Sequence, residues 1–261
     1  MHFRESGDAG APVALLLHGY PNSSYLWEEI LPAVAASAYH GIAPDLPGYG
    51  DSPLGGSTGT WTEHVAALDA FVTEHALAPV VLVVHDWGGL IGLRWACEHP
   101  DAVGALVISD TGFFPDGKWH GLAVAMRTEG QGEELMANMT RDTLAAVLRS
   151  ASPNVTEQAI DEYFKAFSTP ERRAAQLALY RSGDFAELEP YAGCLAALDV
   201  PTKIIWGEGD AFAPVASAHR FAKEIPHAEL VVLPDAGHFI QEDVPQRVAQ
   251  EISVFLAACH D

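Results

Sequence analysis

Basic residues are scarce in this chain: 14 lysines and arginines stand against 35 aspartates and glutamates, a formal net charge of −21 at pH 7. Such a surface repels phosphates, which argues against a nucleic-acid partner; solubility or a salty habitat would explain it equally well. Cysteine is scarcer still. Cys97, Cys194 and Cys259 are too few and too scattered for a disulfide framework or a zinc site, so a cytoplasmic protein without a metal is expected. Met1 to Glu5 lacks the apolar run of a signal peptide, and no other apolar run approaches the ~20 residues that span a bilayer. No membrane partner is therefore expected. Internal repeats and low-complexity segments are also missing. Hydrophobic residues, at 49%, are plentiful enough for a sizeable core, so the 261 residues suit one large α/β domain or a core with an insertion.

The most informative stretch is Val81-Leu82-Val83-Val84-His85-Asp86-Trp87-Gly88-Gly89. Four apolar residues, mostly β-branched, predict a strand buried on both faces. The residues from Gly89 to Ala96 predict a helix directly after it. A strand that turns sharply into a helix lifts one side chain above the sheet and aims backbone N–H groups beside it, the arrangement of a nucleophile elbow. Asp86 stands at its tip. Its bland reading is a helix N-cap.

Other strands are predicted at Pro12–Leu17, Ile42–Leu46, Val103–Ser109, Pro201–Trp206 and Leu230–Leu233. A helix is expected from about Ser24, with Leu26, Trp27 and Ile30 on one side. Thr60 and Glu63 have capping-box spacing ahead of Val65, Leu68 and Val72. A final helix carries Val244, Val248, Ile252 and Phe255 at core spacing. Strands alternating with helices imply a mostly parallel sheet flanked by helices. The alternation stops after Gly112, and residues 113–195 read as a helical insertion between core segments 1–112 and 196–261.

Asp210 follows the penultimate strand in Gly207-Glu208-Gly209-Asp210, and His238 follows the last in Gly237-His238-Phe239. Sites in open α/β sheets lie beyond the carboxyl ends of the strands, so Asp86, Asp210 and His238 should converge. An acid that holds one imidazole nitrogen leaves the other free as a base. Asp110, at the end of the Val103–Ser109 strand, competes with Asp210 as that acid; its bland reading is a turn residue. His18 and His85 are expected to make structural hydrogen bonds, Asp45 to stabilise a turn, and Tyr163 to pack.

These motifs, with His18-Gly19-Tyr20-Pro21 and His85-Asp86-Trp87-Gly88-Gly89, resemble the epoxide hydrolase and haloalkane dehalogenase branch of the α/β-hydrolases over nearly the whole chain. Val84 departs from the glycine that many serine hydrolases carry before the elbow. The resemblance implies an α/β-hydrolase fold with a helical cap at the insertion, a small-molecule substrate and no cofactor. It also implies a mechanism. Asp86 would displace a leaving group from an sp³ carbon, giving an alkyl ester. Water activated by His238 would then hydrolyse it, with the Tyr20 and Trp87 backbone N–H groups stabilising the oxyanion.

The branch member turns on the leaving group. A halide needs N–H donors, and Trp87 offers one. The second donor of known dehalogenases is missing: Tyr20 stands where one group has asparagine, and Ser150 lies near where another has a cap tryptophan. An epoxide oxygen needs an acid, and Tyr180 in Ala178-Leu179-Tyr180-Arg181 matches a ring-opening tyrosine of epoxide hydrolases, although packing is an equal alternative. Trp119 and His120 lie where a second such tyrosine would stand; His120 also resembles a cap histidine of fluoroacetate dehalogenases. Epoxide hydrolysis is the leading expectation and carbon–halogen hydrolysis the alternative. An ester-acting or non-catalytic relative is the remaining class.

Overall fold

In the computed structural model, which describes residues 1–259, a seven-stranded sheet has the order β1-β3-β2-β4-β5-β6-β7. The strands are β1 (Phe3–Ser6), β2 (Val13–Leu17), β3 (His40–Pro44), β4 (Val80–His85), β5 (Val103–Ser109), β6 (Thr202–Gly207) and β7 (Glu229–Leu233). β4 occupies the middle and runs parallel to β2 and β5. All six of its residues are buried; because successive side chains point to opposite faces, both faces of the sheet centre must be covered. The cover comes from helices: α1 (Leu31–Ala36), α2 (Trp61–Glu74), α3 (Trp87–Glu98), α10 (Ala216–Glu224), α11 (Ile240–Asp243) and α12 (Pro245–Ala258). α1 packs on α12, and α2 packs on α3.

Local chemistry sets several boundaries. Thr60 accepts from the Glu63 N–H at 3.3 Å, and Glu63 accepts from the Thr60 N–H at 3.0 Å, so the expected capping box starts α2. The helix expected from Ser24 is interrupted. Ser24–Trp27 forms one 3₁₀ turn, capped by the Ser23 hydroxyl, and α1 begins only at Leu31 with Pro32 in its first turn. Leu26, Trp27 and Ile30 are buried nonetheless. β1 was not expected, because four residues without an apolar run give little sequence signal. It pairs antiparallel with β3 at the sheet edge.

Between β5 and β6 the described residues contain no strand. They fold into α4 (Gly121–Arg127), α5 (Gln131–Ala137), α6 (Arg141–Ala151), α7 (Glu157–Phe164), α8 (Pro170–Arg181) and α9 (Cys194–Ala197), with short 3₁₀ turns. This layer is tied to the loops at the carboxyl ends of the strands. The Arg172 guanidinium donates to the carbonyls of Gly48, Gly50 and Ser52. Ser152 Oγ accepts from the Phe239 N–H, and Ser182 Oγ from the Trp61 N–H.

Three cysteines build no disulfide framework, but two of them do pair. Cys97 at the end of α3 and Cys194 at the start of α9 form a disulfide, with Cα atoms 5.8 Å apart. Their separation of 97 residues hid the pairing, because only the fold brings α9 back onto α3. Cysteine usage therefore no longer argues for a reducing compartment. Among the described residues, no helix is long and apolar enough to cross a membrane.

Candidate active site

Asp86 joins β4 to α3 with φ 50° and ψ −124°, a backbone conformation that non-glycine residues rarely adopt. Its side chain does not cap α3, so the bland reading fails. The carboxylate is instead turned toward the loop after β2, where its Oδ1 accepts the Tyr20 N–H at 2.6 Å. The Trp87 N–H supports it as well. The sharp turn demands close approach: a β-carbon on Gly88 would lie 2.5 Å from the carbonyl oxygens of Leu17 and His18. Thr111, after β5, donates its hydroxyl to the Asp86 carbonyl at 2.6 Å.

His238 lies between two carboxylates. Its Nδ1 is 2.8 Å from Asp210 Oδ2, and its Nε2 is 3.6 Å from Asp86 Oδ2. Asp210 Oδ1 accepts the N–H groups of Phe212 and Ala213 at 2.7 and 2.9 Å. Of the two competing acids, Asp210 is thus the one on His238. Asp110 Oδ1 instead accepts the Gly207 N–H at 2.9 Å.

The electrostatics reflect this packing. Burial would raise the Asp86 carboxyl, but the neighbouring His238 imidazole, with His85 and the Trp87 N–H, holds it below the usual carboxylate range. Burial would equally raise Asp210; His238 and the two loop N–H groups pull it down. Burial would make His238 less basic, yet Asp210 and Asp86 raise it well above an ordinary histidine. Asp110 moves the other way: burial and the neighbouring Asp210 charge push it well above the carboxylate range.

The flanking residues sort themselves by their partners. His18 donates from Nδ1 to the Gly19 carbonyl and accepts the Leu46 N–H at Nε2, a structural role as expected. His85 has no hydrogen-bond partner, packs 4.9 Å from the His238 ring, and is pushed down to about 3 by burial, so it stays neutral. Asp45 accepts the Ser24 and Asp51 N–H groups and secures its turn. Tyr163 is buried and donates to Glu242. Ser150 is exposed and bonds to the Val147 carbonyl, so it offers nothing to the site.

Two cavities, of about 110 and 120 Å³, meet over Asp86 and share His120, Tyr180, Phe212 and His238. One is lined by Trp87, Trp119, Lys118 and Ser217. The other is apolar, lined by Leu122, Leu135, Met139, Leu144, Val147 and Leu148. A larger hollow of about 470 Å³ lies elsewhere, and its Arg220 is already paired with Asp116 and Glu224. The Tyr180 ring stands edge-on to Tyr20 and Trp87, with centroids at 5.1 and 5.2 Å, and its hydroxyl is bonded by the Trp87 side chain. Burial and then the Asp86 charge raise Tyr180 well above an ordinary phenol. Trp119 stacks on Trp87. His120 caps α4 by accepting the Ala123 N–H, and its ring packs on Phe212 at 4.8 Å. Phe212 and Thr111 were not singled out from the sequence; the only signal was their place just after Asp210 and Asp110.

This site sits on a recognisable scaffold. The family described as "alpha/beta hydrolase fold" matches residues 12–245. The chain belongs to that family. It is 30% identical to a haloalkane dehalogenase of Bradyrhizobium diazoefficiens over 98% of this chain and 91% of that one. It is also 30% identical to epoxide hydrolase 3 of Siraitia grosvenorii, over 98% and 94%. The crystal structure of the haloalkane dehalogenase DbeA from Bradyrhizobium elkani superposes with a TM-score of 0.88 at 29% identity, covering 99% of this chain and 94% of that one. The α/β-hydrolase family therefore accounts for the fold, the chain is an enzyme, and its relatives lie in the epoxide hydrolase and dehalogenase branch.

Proposed function

We propose that this α/β-hydrolase cleaves a carbon–halogen bond of a small organic molecule through a covalent ester on Asp86. The observation that carries the reading is the division of labour on one carboxylate: Oδ1 is held by the Tyr20 N–H, while Oδ2 faces the open site and His238. A carboxylate suits attack at an sp³ carbon, since attack on a carboxylic ester would give an anhydride. Oδ2 forms the new C–O bond as the C–X bond breaks, and the halide leaves with the bonding pair.

The second step regenerates the enzyme. His238, oriented by Asp210, takes a proton from water, and the resulting hydroxide adds to the Asp86 ester carbonyl. The Tyr20 and Trp87 N–H groups take the oxyanion. Collapse expels the alkoxide, which is reprotonated by His238. The products are an alcohol, a halide and a proton, and one Asp86 oxygen has come from water. Residues 113–195 serve as the cap that closes the site and shapes the apolar cavity.

Haloalkane dehalogenases among the relatives favour a halide over the epoxide that the sequence put first. Tyr180 would supply the second donor that the sequence motifs lack: its hydroxyl is bonded by the Trp87 side chain, both groups line the cavity over Asp86, and exchange of that bond would turn two donors to the leaving halide. The same hydroxyl, buried and holding its proton firmly, keeps epoxide opening as the second reading. Halide release from a haloalkane panel, beside diol formation from epoxides, tests the choice. Halide without diol is expected, lost in Asp86→Asn. Diol without halide would move the assignment to epoxides. In ¹⁸O water, a single turnover should label Asp86 rather than the alcohol; label in the alcohol would overturn the covalent route.

A further inference from the structure

Asp110 is a buried ionisable group beside the site that this mechanism leaves unused. It follows β5 with φ 44°, is fully buried, and accepts the Gly207 N–H at Oδ1. Its Oδ2 is buried with no hydrogen-bond donor to accept from, and its carboxyl faces that of Asp210. The titratable groups facing it are Asp210 and His238, from the loops after β6 and β7. Two adjacent buried carboxylates do not both ionise, and an orphaned buried oxygen is costly unless it becomes a donor.

We propose that Asp110 is a positioning residue that carries a proton on Oδ2 and donates it to the Asp210 carboxylate. The inference rests on the reading of Asp210 as the acid behind His238. The proton belongs on Asp110 for a geometric reason. Asp210 already accepts two backbone N–H groups and the His238 ring, whereas Asp110 accepts one N–H. Each donor favours the ionised form of the carboxyl it reaches. The O–H from Asp110 completes the set around Asp210, so the acid cannot rotate away from Nδ1. The pair then presents a single negative charge to the imidazole.

Asp110→Asn tests this directly, because the amide keeps an uncharged donor toward Asp210 and an oxygen for the Gly207 N–H. Asparagine also tolerates the left-handed backbone at this position. The rate of alkyl-enzyme hydrolysis should stay within about threefold of wild type, with its acid limb unmoved. If Asp110 were an ionised second acid, the substitution would remove negative charge facing His238. The acid limb would then move to lower pH, by about one unit or more, and overturn the proposal.

Infrared difference spectra of the resting protein give a readout free of turnover. Wild type minus Asp110→Asn at neutral pH should show the C=O stretch of a protonated carboxyl; ionised-carboxylate bands in its place would overturn the proposal. Asp110→Ala, which has no donor, should slow hydrolysis about tenfold or more and let alkyl-enzyme accumulate. A merely structural role would slow both steps together. Failure of ¹⁸O to enter Asp86 would sink the covalent mechanism, whereas the infrared band reports on the Asp110 proton either way.

Discussion

Gly19 lies against Asp86 so closely that a β-carbon placed on it would sit 2.3 Å from Oδ1 and 2.4 Å from the Asp86 Cβ. Both atoms belong to the Asp86 side chain, whose Oδ1 is held by the Tyr20 N–H, so the clash can be relieved only by moving the carboxylate. Gly19→Ala should therefore push the carboxylate off its N–H donor. A misplaced nucleophile and a broken oxyanion site together should lower kcat/KM by about 100-fold or more. Steady-state kinetics alongside thermal melts checks this. A variant with near-normal turnover would show that the Asp86–Tyr20 contact is dispensable.

The pH dependence is set by the charges around His238. In the resting site, Asp210 and Asp86 together raise its affinity for a proton. Forming the ester removes the Asp86 charge, so the folded-state shift shrinks at the step where His238 must accept a proton. The group works as a base only when neutral. Hydrolysis of the alkyl-enzyme should thus be slow below the His238 pKa of the intermediate and rise to a plateau above it. That pKa should lie below the one of the resting enzyme. Single-turnover rates across pH, compared with imidazole titration in the resting protein by NMR, measure both. An intermediate pKa equal to or above the resting one would contradict the assignment.

Much of this site is readable from residue order because of how parallel sheets are built. Asp86, Asp110, Asp210 and His238 each come after a strand, and parallel strands deliver their trailing loops to one edge. Which acid meets His238 was not readable, since Asp110 and Asp210 follow adjacent strands. A few ångströms of side-chain direction separate a bond to Nδ1 from one to the Gly207 N–H. Whether Tyr180 packs or faces the site was hidden for a similar reason. Tyr180 reaches Trp87 from α8, and helix periodicity cannot tell a packing face from a site-facing one. The Cys97–Cys194 pair needed the return of α9 onto α3, a contact without local signal.

Tyr180→Phe separates the two leaving-group readings by magnitude. Against haloalkanes the variant keeps the Trp87 indole N–H and loses one neutral donor, so halide release should fall by roughly tenfold. Against epoxides it would lose the acid that protonates the opening oxygen, and general acids are worth about 10²–10⁴-fold. The ring packing against Tyr20 and Trp87 is preserved in both cases. Rates unchanged for every substrate would mean that Tyr180 only packs.

The Cys97–Cys194 disulfide closes a loop across 97 residues, spanning β5 and the helical layer from α4 into α9. Chain-entropy reasoning puts the upper bound for such a loop at about 4–5 kcal/mol, because the cross-link removes conformations chiefly from the unfolded chain. The Cys97→Ser, Cys194→Ser double variant should therefore melt lower than wild type. Activity at moderate temperature should be retained, since neither cysteine lines the cavities over Asp86. A reducing agent should lower the melting temperature of wild type but not of the double variant. Thiol titration of the unreduced, denatured protein should find one free thiol, that of Cys259. Three free thiols, with no effect of reductant, would mean that the two sulfurs are neighbours without a bond, and the helical layer would then rest on its hydrogen bonds and packing alone.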